Sequence, residues 1–137
     1  MSVGLLLITH NRIGAELLET ATRMLGSCPL AAIALSVTVQ DDPDRLRDEA
    51  RRCAERLDDG SGVLVLTDLF GSTPANIANA LKGRERVRVL AGVNLPMVVR
   101  VLNYAGLELP SLAEKALSGG HDGVMNCPGG APWRDSD

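Results

Sequence analysis

The sequence predicts a three-layer α/β/α domain around a sheet of four mainly parallel strands, and three observations carry the prediction. Apolar runs of strand length alternate with segments of helical periodicity. Those runs are apolar at consecutive positions, so both faces of the sheet must be covered, with right-handed crossovers between strands. The chain of 137 residues is one domain's worth, and its 45% hydrophobic content is enough for a single well-buried core.

The elements follow in order. Residues 3–9 (VGLLLIT) read as a first strand, and residues 14–25 place Leu17, Leu18, Ala21, Met24 and Leu25 on one face of a helix. Residues 30–39 (LAAIALSVTV) form a second strand, and QDDPD then turns the chain, with Asp42 or Asp44 as the helix cap. Leu46, Ala50, Cys53, Ala54 and Leu57 recur at helical spacing before DDGSG closes that helix. A third strand covers residues 62–68, a helix starts at Pro74, and a fourth strand covers residues 86–91. After the loop GVNLP, helices are expected over roughly residues 96–105 and from near Ser111. The run DGVMN (residues 122–126) is expected as a short antiparallel C-terminal strand, and residues 127–137, rich in Gly, Pro and charge, as a disordered tail.

Composition removes several function classes. A net charge of −3 with interspersed Arg, Asp and Glu provides no basic stripe, so no nucleic-acid partner is expected. One Phe, one Trp and one Tyr leave few stacking platforms for flavins, bases or sugars. No membrane span is expected, because no apolar stretch approaches the roughly 20 residues one requires. The start, MSVGLLLITHNR, has neither a positive n-region nor a cleavage site and reads as a strand, so a cytoplasmic protein is expected. Cys28, Cys53 and Cys127 are far apart and form no Cys-x-x-Cys; they read as two buried small residues and one tail thiol. Neither a metal nor a cofactor is called for.

The chemistry concentrates in two loops. His10, the only histidine of the first 120 residues, directly follows the first strand. Asp68 ends the third. In open parallel sheets, sites lie beyond the carboxyl ends of the strands where the winding reverses. If the first and third strands are neighbours, about 4.8 Å apart, His10 and Asp68 come within reach of each other. A neutral imidazole can attack phosphorus with one nitrogen while a carboxylate holds the proton on the other. After Asp68, LFGSTP places Thr73 before Pro74 as a helix N-cap, with Gly71 and Ser72 as small residues that let a ligand approach the amides. Gly71, Ser72 and Thr73 are therefore the candidate phosphate-binding residues. Asn11 and Arg12 read as solvated residues at a helix start, with Arg12 a possible aid to phosphate; Asn94 reads as a turn residue and His121 as a loop residue.

ITHNRIGAELLETA, VLTDLFGSTPANIA and VLAGVNLPMVV, in that order and spacing, resemble the enzyme IIA component of the mannose family of the sugar phosphotransferase system (PTS) over about residues 1–126. The resemblance implies that His10 accepts a phosphoryl group from the phosphocarrier HPr and passes it to a IIB component or a regulatory target. It also implies that Asp68 hydrogen-bonds the ring and that Thr73 is the hydroxyl residue opening the next helix. Ser72 stands where many relatives carry a second glycine. A homodimer is implied, its C-terminal strand paired with the neighbouring subunit.

Rival classes fit less well. A receiver domain would use Asp68 as phosphoacceptor but needs acids after the first strand, where Thr9 and His10 stand. A serine hydrolase needs Gly-x-Ser-x-Gly, and a nucleotide site needs a P-loop or Gly-x-Gly-x-x-Gly; neither is present. A small-anion-binding regulatory module without phosphoryl transfer remains the non-enzymatic alternative.

Overall fold

A computed structural model of the chain describes residues 2–83 and 86–128. Four strands and five helices alternate in the order β1 (Gly4–His10), α1 (Ile13–Leu25), β2 (Ala32–Val37), α2 (Pro43–Leu57), β3 (Val63–Thr67), α3 (Thr73–Asn79), β4 (Val87–Ala91), α4 (Leu95–Asn103) and α5 (Leu109–Asp122). The four strands form one parallel sheet in the order β2-β1-β3-β4. The winding therefore reverses between β1 and β3, at the carboxyl ends that carry His10 and Asp68.

Strand alternation sorts the apolar side chains into two cores. Leu5, Leu7, Leu64 and Leu66 face α1, α4 and α5, together with Ala21, Val98 and Leu112. Leu6, Ile8, Val63 and Val65 face α2 and α3, together with Leu46, Ala50, Ala54 and Ile77. These are the three expected layers. Each fully buried aliphatic side chain contributes about 1.5–3 kcal/mol. Burial on both faces explains why β1 and β3 read as unbroken apolar runs.

One local expectation is narrowed and others are corrected. Asp42 is the cap of α2, its carboxylate accepting from the Asp44 amide at 3.1 Å. Cys28 is exposed in the loop before β2, so Cys53 alone of the three cysteines is buried. His121 lies in the last turn of α5 and not in a loop. The helix continues through Gly119 and Gly120 because α4 comes so close there: a Cβ on Gly119 would lie 2.7 Å from the Cβ of Arg100, and one on Gly120 would lie 2.8 Å from the Cε of Met97. Packing thus holds two helix-weakening glycines in helical geometry.

The short C-terminal strand expected at DGVMN is not formed in this chain. Asp122 is the final residue of α5 and pairs with Arg100 at 3.3 Å, and the Val124 amide folds back on the carbonyl of His121 at 3.2 Å. What remains of the run, Val124 to Asn126, is exposed and pairs with no strand among the described residues. Of the expected tail, residues 129–137 lie outside the described residues. No helix of the described residues is long and apolar enough to cross a membrane.

Candidate active site

His10 is the last residue of β1, paired in register with Val37 of β2. The chain must turn sharply after it to enter α1, and Asn11 makes the turn with a φ of 48°. Among non-glycine residues, Asn is one of the few that tolerates this left-handed region, which is why it can follow the histidine. The turn is held on both sides. The Asn11 amide donates to the Val37 carbonyl at 2.9 Å, and the buried hydroxyl of Thr9 accepts from the Gly14 amide at 2.8 Å. Gly14 packs closely here, since a Cβ there would lie 3.0 Å from Thr9 Oγ1 and 3.1 Å from Leu7 Cβ, tighter than ordinary contact. The start of α1 is thereby pressed against β1, and the direction of His10 is set.

Asp68 follows β3 and reaches across to His10. Its Oδ2 accepts from the His10 backbone amide at 3.0 Å and lies 2.8 Å from His10 Nδ1, while its Oδ1 accepts from the Leu69 amide at 3.0 Å. The Asp68 side chain is 12% exposed and that of His10 41%. Burial pushes the Asp68 carboxyl upward, but its hydrogen bonds from the His10 amide and ring outweigh this and leave it below the ordinary 3.8. The group is a carboxylate at neutral pH and can only accept, so Nδ1 must carry the proton. In the neutral ring, Nε2 is then the nitrogen that carries the lone pair.

The loop from Asp68 to α3 is compact. The amide and hydroxyl of Ser72 both donate to the Leu69 carbonyl, at 3.3 and 2.5 Å, and Gly71 adopts a φ of 84° in the turn between them. Ser72, and not Thr73 as expected, is the N-cap: its backbone is extended, and its carbonyl accepts the first helical bond from Asn76 at 2.9 Å. Thr73 is therefore the first helical residue and Pro74 the second. Among the described residues, no hydrogen bond is made by the Thr73 hydroxyl or by the amides of Phe70, Gly71 and Thr73. Arg12 turns to Glu16 of its own helix at 3.2 Å, both well exposed. Asn94 caps α4, accepting from the Met97 amide at 2.9 Å and donating to the Gly120 carbonyl at 3.1 Å.

Two features escape a reading of the sequence. Thr67, beside Asp68, is 1% exposed, and its hydroxyl has no hydrogen-bond partner among the described residues. A period-2 pattern cannot distinguish such a threonine from a valine. Ile13, Val39, Leu69 and Phe70 are exposed apolar residues that follow β1, β2 and β3 at the same sheet edge. Here the topology, and no local motif, groups them. No group of three or more His, Cys, Asp or Glu side chains suited to a metal ion occurs among the described residues.

Comparison with known proteins identifies the family of the chain. A family model described as "PTS system fructose IIA component" (EIIA-man) matches residues 4–117. The "PTS system mannose-specific EIIAB component" of Escherichia coli strain K12 is 30% identical over 128 residues, which is 90% of this chain and 39% of that protein. The "Transcriptional regulatory protein LevR" of Bacillus subtilis strain 168 is 29% identical over 114 residues, 80% of this chain and 12% of that protein. The chain thus spans well under half of each of these two relatives. Among solved structures, the mannose/sorbose-specific IIA subunit of the phosphotransferase system from Enterococcus faecalis superposes with a TM-score of 0.82 at 28% identity, covering 93% of this chain and 96% of that one.

Proposed function

Because the chain belongs to the EIIA-man family of PTS IIA components, we propose that it is a cytoplasmic phosphocarrier: His10 takes a phosphoryl group from phospho-HPr and hands it to a IIB component or a regulatory target. The observation that carries this reading is the 2.8 Å contact between His10 Nδ1 and Asp68 Oδ2. It supports a proton on Nδ1 and the nucleophilic lone pair on Nε2. In the transfer, Nε2 forms a bond to phosphorus as the bond between phosphorus and the carrier's leaving atom breaks, and that electron pair stays with the carrier. The His10 ring gains positive charge, which the Asp68 carboxylate balances, and the Nδ1 proton stays shared between them. The second transfer reverses the roles, with Nε2 as the leaving atom.

Gly71, Ser72 and Thr73 are assigned to the phosphoryl oxygens, supported by the unpaired Gly71 and Thr73 amides and the unengaged Thr73 hydroxyl. The hydroxyl of Ser72 already serves the Leu69 carbonyl, so Ser72 acts through the shape of the loop. The exposed side chains of Ile13, Val39, Leu69 and Phe70 suit transient docking of the protein partners around the polar pair. A homodimer is part of the proposal: among the described residues β4 is an unpaired sheet edge, and the exposed apolar Val124 and Met125 pair with no strand.

An aspartyl-phosphate reading has less support, since both Asp68 oxygens already accept N–H groups. The test is incubation with phosphoenolpyruvate, enzyme I and HPr, followed by acid or alkali. Label lost in acid, stable in alkali and absent from His10→Ala bears out the proposal. Label that alkali and hydroxylamine remove, or that persists at His121 in His10→Ala, refutes it.

A further inference from the structure

We infer that the chain has a second anion site, at the opposite end of the sheet from His10, built for a small hydroxylated phosphate monoester. A cavity of about 380 Å³ lies at the amino ends of β3 and β4 and is lined by Ser61, Arg86, Arg88 and Glu108, with Leu107 and Leu109 among its apolar residues. That volume is in the range of small-molecule pockets. His10 ends β1 and Asp68 follows β3, whereas Ser61 and Arg86 precede β3 and β4, so the length of the sheet separates the two places.

The chemistry of the lining selects the ligand. Arg86 lies in the turn just before β4 and Arg88 is the second residue of that strand, and both line the cavity. Neither forms a side-chain ion pair or hydrogen bond among the described residues, in contrast to Arg12, Arg23, Arg47, Arg51 and Arg100, which each pair with a carboxylate. Two uncommitted guanidinium groups in one cavity match a phosphate, which guanidinium groups hold with paired, charge-assisted hydrogen bonds. Glu108 opposes a bare anion but accepts from hydroxyl groups. Its side chain does not cap α5 and is free for that role. The Ser61 hydroxyl adds a group that both donates and accepts. A phosphate at one end of the ligand and hydroxyl groups at the other satisfy this set.

The pocket has a firm floor. The Val63 amide donates to the Arg86 carbonyl at 2.9 Å, and a Cβ on Gly62 would lie 2.7 Å from that carbonyl oxygen and 2.9 Å from Leu109 Cδ2. The backbones that present Ser61, Arg86 and Leu109 are thus packed against one another, so a ligand would meet a site already in place.

The inference stands apart from phosphoryl transfer, and its test keeps the two distinct. The His10→Ala protein is titrated with glucose 6-phosphate, inorganic phosphate and sodium sulfate at matched ionic strength, and amide shifts are read by heteronuclear NMR. Saturable shifts at Ser61, Arg86, Leu107 and Glu108, strongest with glucose 6-phosphate, support the site. Arg86→Gln and Arg88→Gln should each weaken that binding about tenfold, as expected for losing one charge-assisted contact. Shifts that are non-saturable, equal for sulfate and glucose 6-phosphate, or unchanged in both variants overturn it. A parent protein that carries His10 and is labelled normally after Arg86→Gln and Arg88→Gln shows that failure here leaves the carrier reading intact.

Discussion

Replacing Asp68 with asparagine is the sharpest perturbation of the site, because it keeps the shape and removes the charge. The carboxylate satisfies three N–H groups: the His10 amide at 3.0 Å and His10 Nδ1 at 2.8 Å through Oδ2, and the Leu69 amide at 3.0 Å through Oδ1. An asparagine amide can face them in two ways. With its oxygen toward His10, the NH₂ group meets the Leu69 N–H and one donor is left unpaired. With its NH₂ toward His10, the backbone N–H of His10 is opposed, and the ring is driven to the tautomer that protonates Nε2 and blocks attack on phosphorus. Either orientation leaves a donor unsatisfied in a site where the Asp68 side chain is 12% exposed. The stability cost is about 1–2 kcal/mol, the lower part of the range for an unsatisfied buried group. A hydrogen bond to a charged partner is worth about 1.5–3 kcal/mol, and its loss as the ring gains charge slows transfer about 10- to 100-fold. Quench-flow transfer from phospho-HPr measures the rate, urea unfolding the stability, and the ¹⁵N shifts of the His10 ring the tautomer. A variant that transfers within twofold of the parent and keeps its proton on Nδ1 would refute the reasoning.

Three other outcomes are expected. The Asp68 carboxyl lies below its ordinary 3.8 in the folded chain, so the stabilisation it provides is complete above that pH and is lost as the pH falls through the lower folded value; the stability gap between parent and Asp68→Asn should therefore close in strong acid, and a gap that closes instead as the pH rises from neutrality would contradict the sign. Gly14→Ala brings a methyl to 3.0 Å from Thr9 Oγ1 and 3.1 Å from Leu7 Cβ, so these neighbours must give by a few tenths of an ångström; denaturant unfolding should show a loss of about 1–3 kcal/mol, with slower labelling of His10. Thr67→Val replaces an unpartnered buried hydroxyl with a methyl and should be neutral or raise stability by up to about 2 kcal/mol, with transfer unchanged; a destabilised variant would mean that the hydroxyl has a partner in solution.

The order of the elements from β1 to α5, the carboxyl-edge position of His10 and Asp68, and the family were determined by the sequence alone, whereas the strand expected after α5 is not formed. Burial on both faces writes an unbroken apolar run into β1 and β3, and amphipathic helices write a 3.6-residue period, so each element carries its own local record. The pairing of His10 with Asp68 was legible only through the rule for open parallel sheets, because the two are 58 positions apart. Tertiary structure decided the rest. It chose Nδ1 as the protonated nitrogen through a carboxylate that also grips the His10 amide, a double contact that no spacing encodes. It bent the backbone at Asn11 and seated Gly14 on Thr9. It made Ser72 the cap in place of Thr73, because the Leu69 carbonyl gathers both the amide and the hydroxyl of Ser72 and closes the turn one residue early. It carried α5 through Gly119 and Gly120 to His121, where local propensity predicts a loop, because α4 packs closely against those glycines. A local pattern records which face of an element is buried, but not which group from a distant part of the chain will meet it. At the sheet edge and along the α4–α5 contact, those meetings fix the geometry.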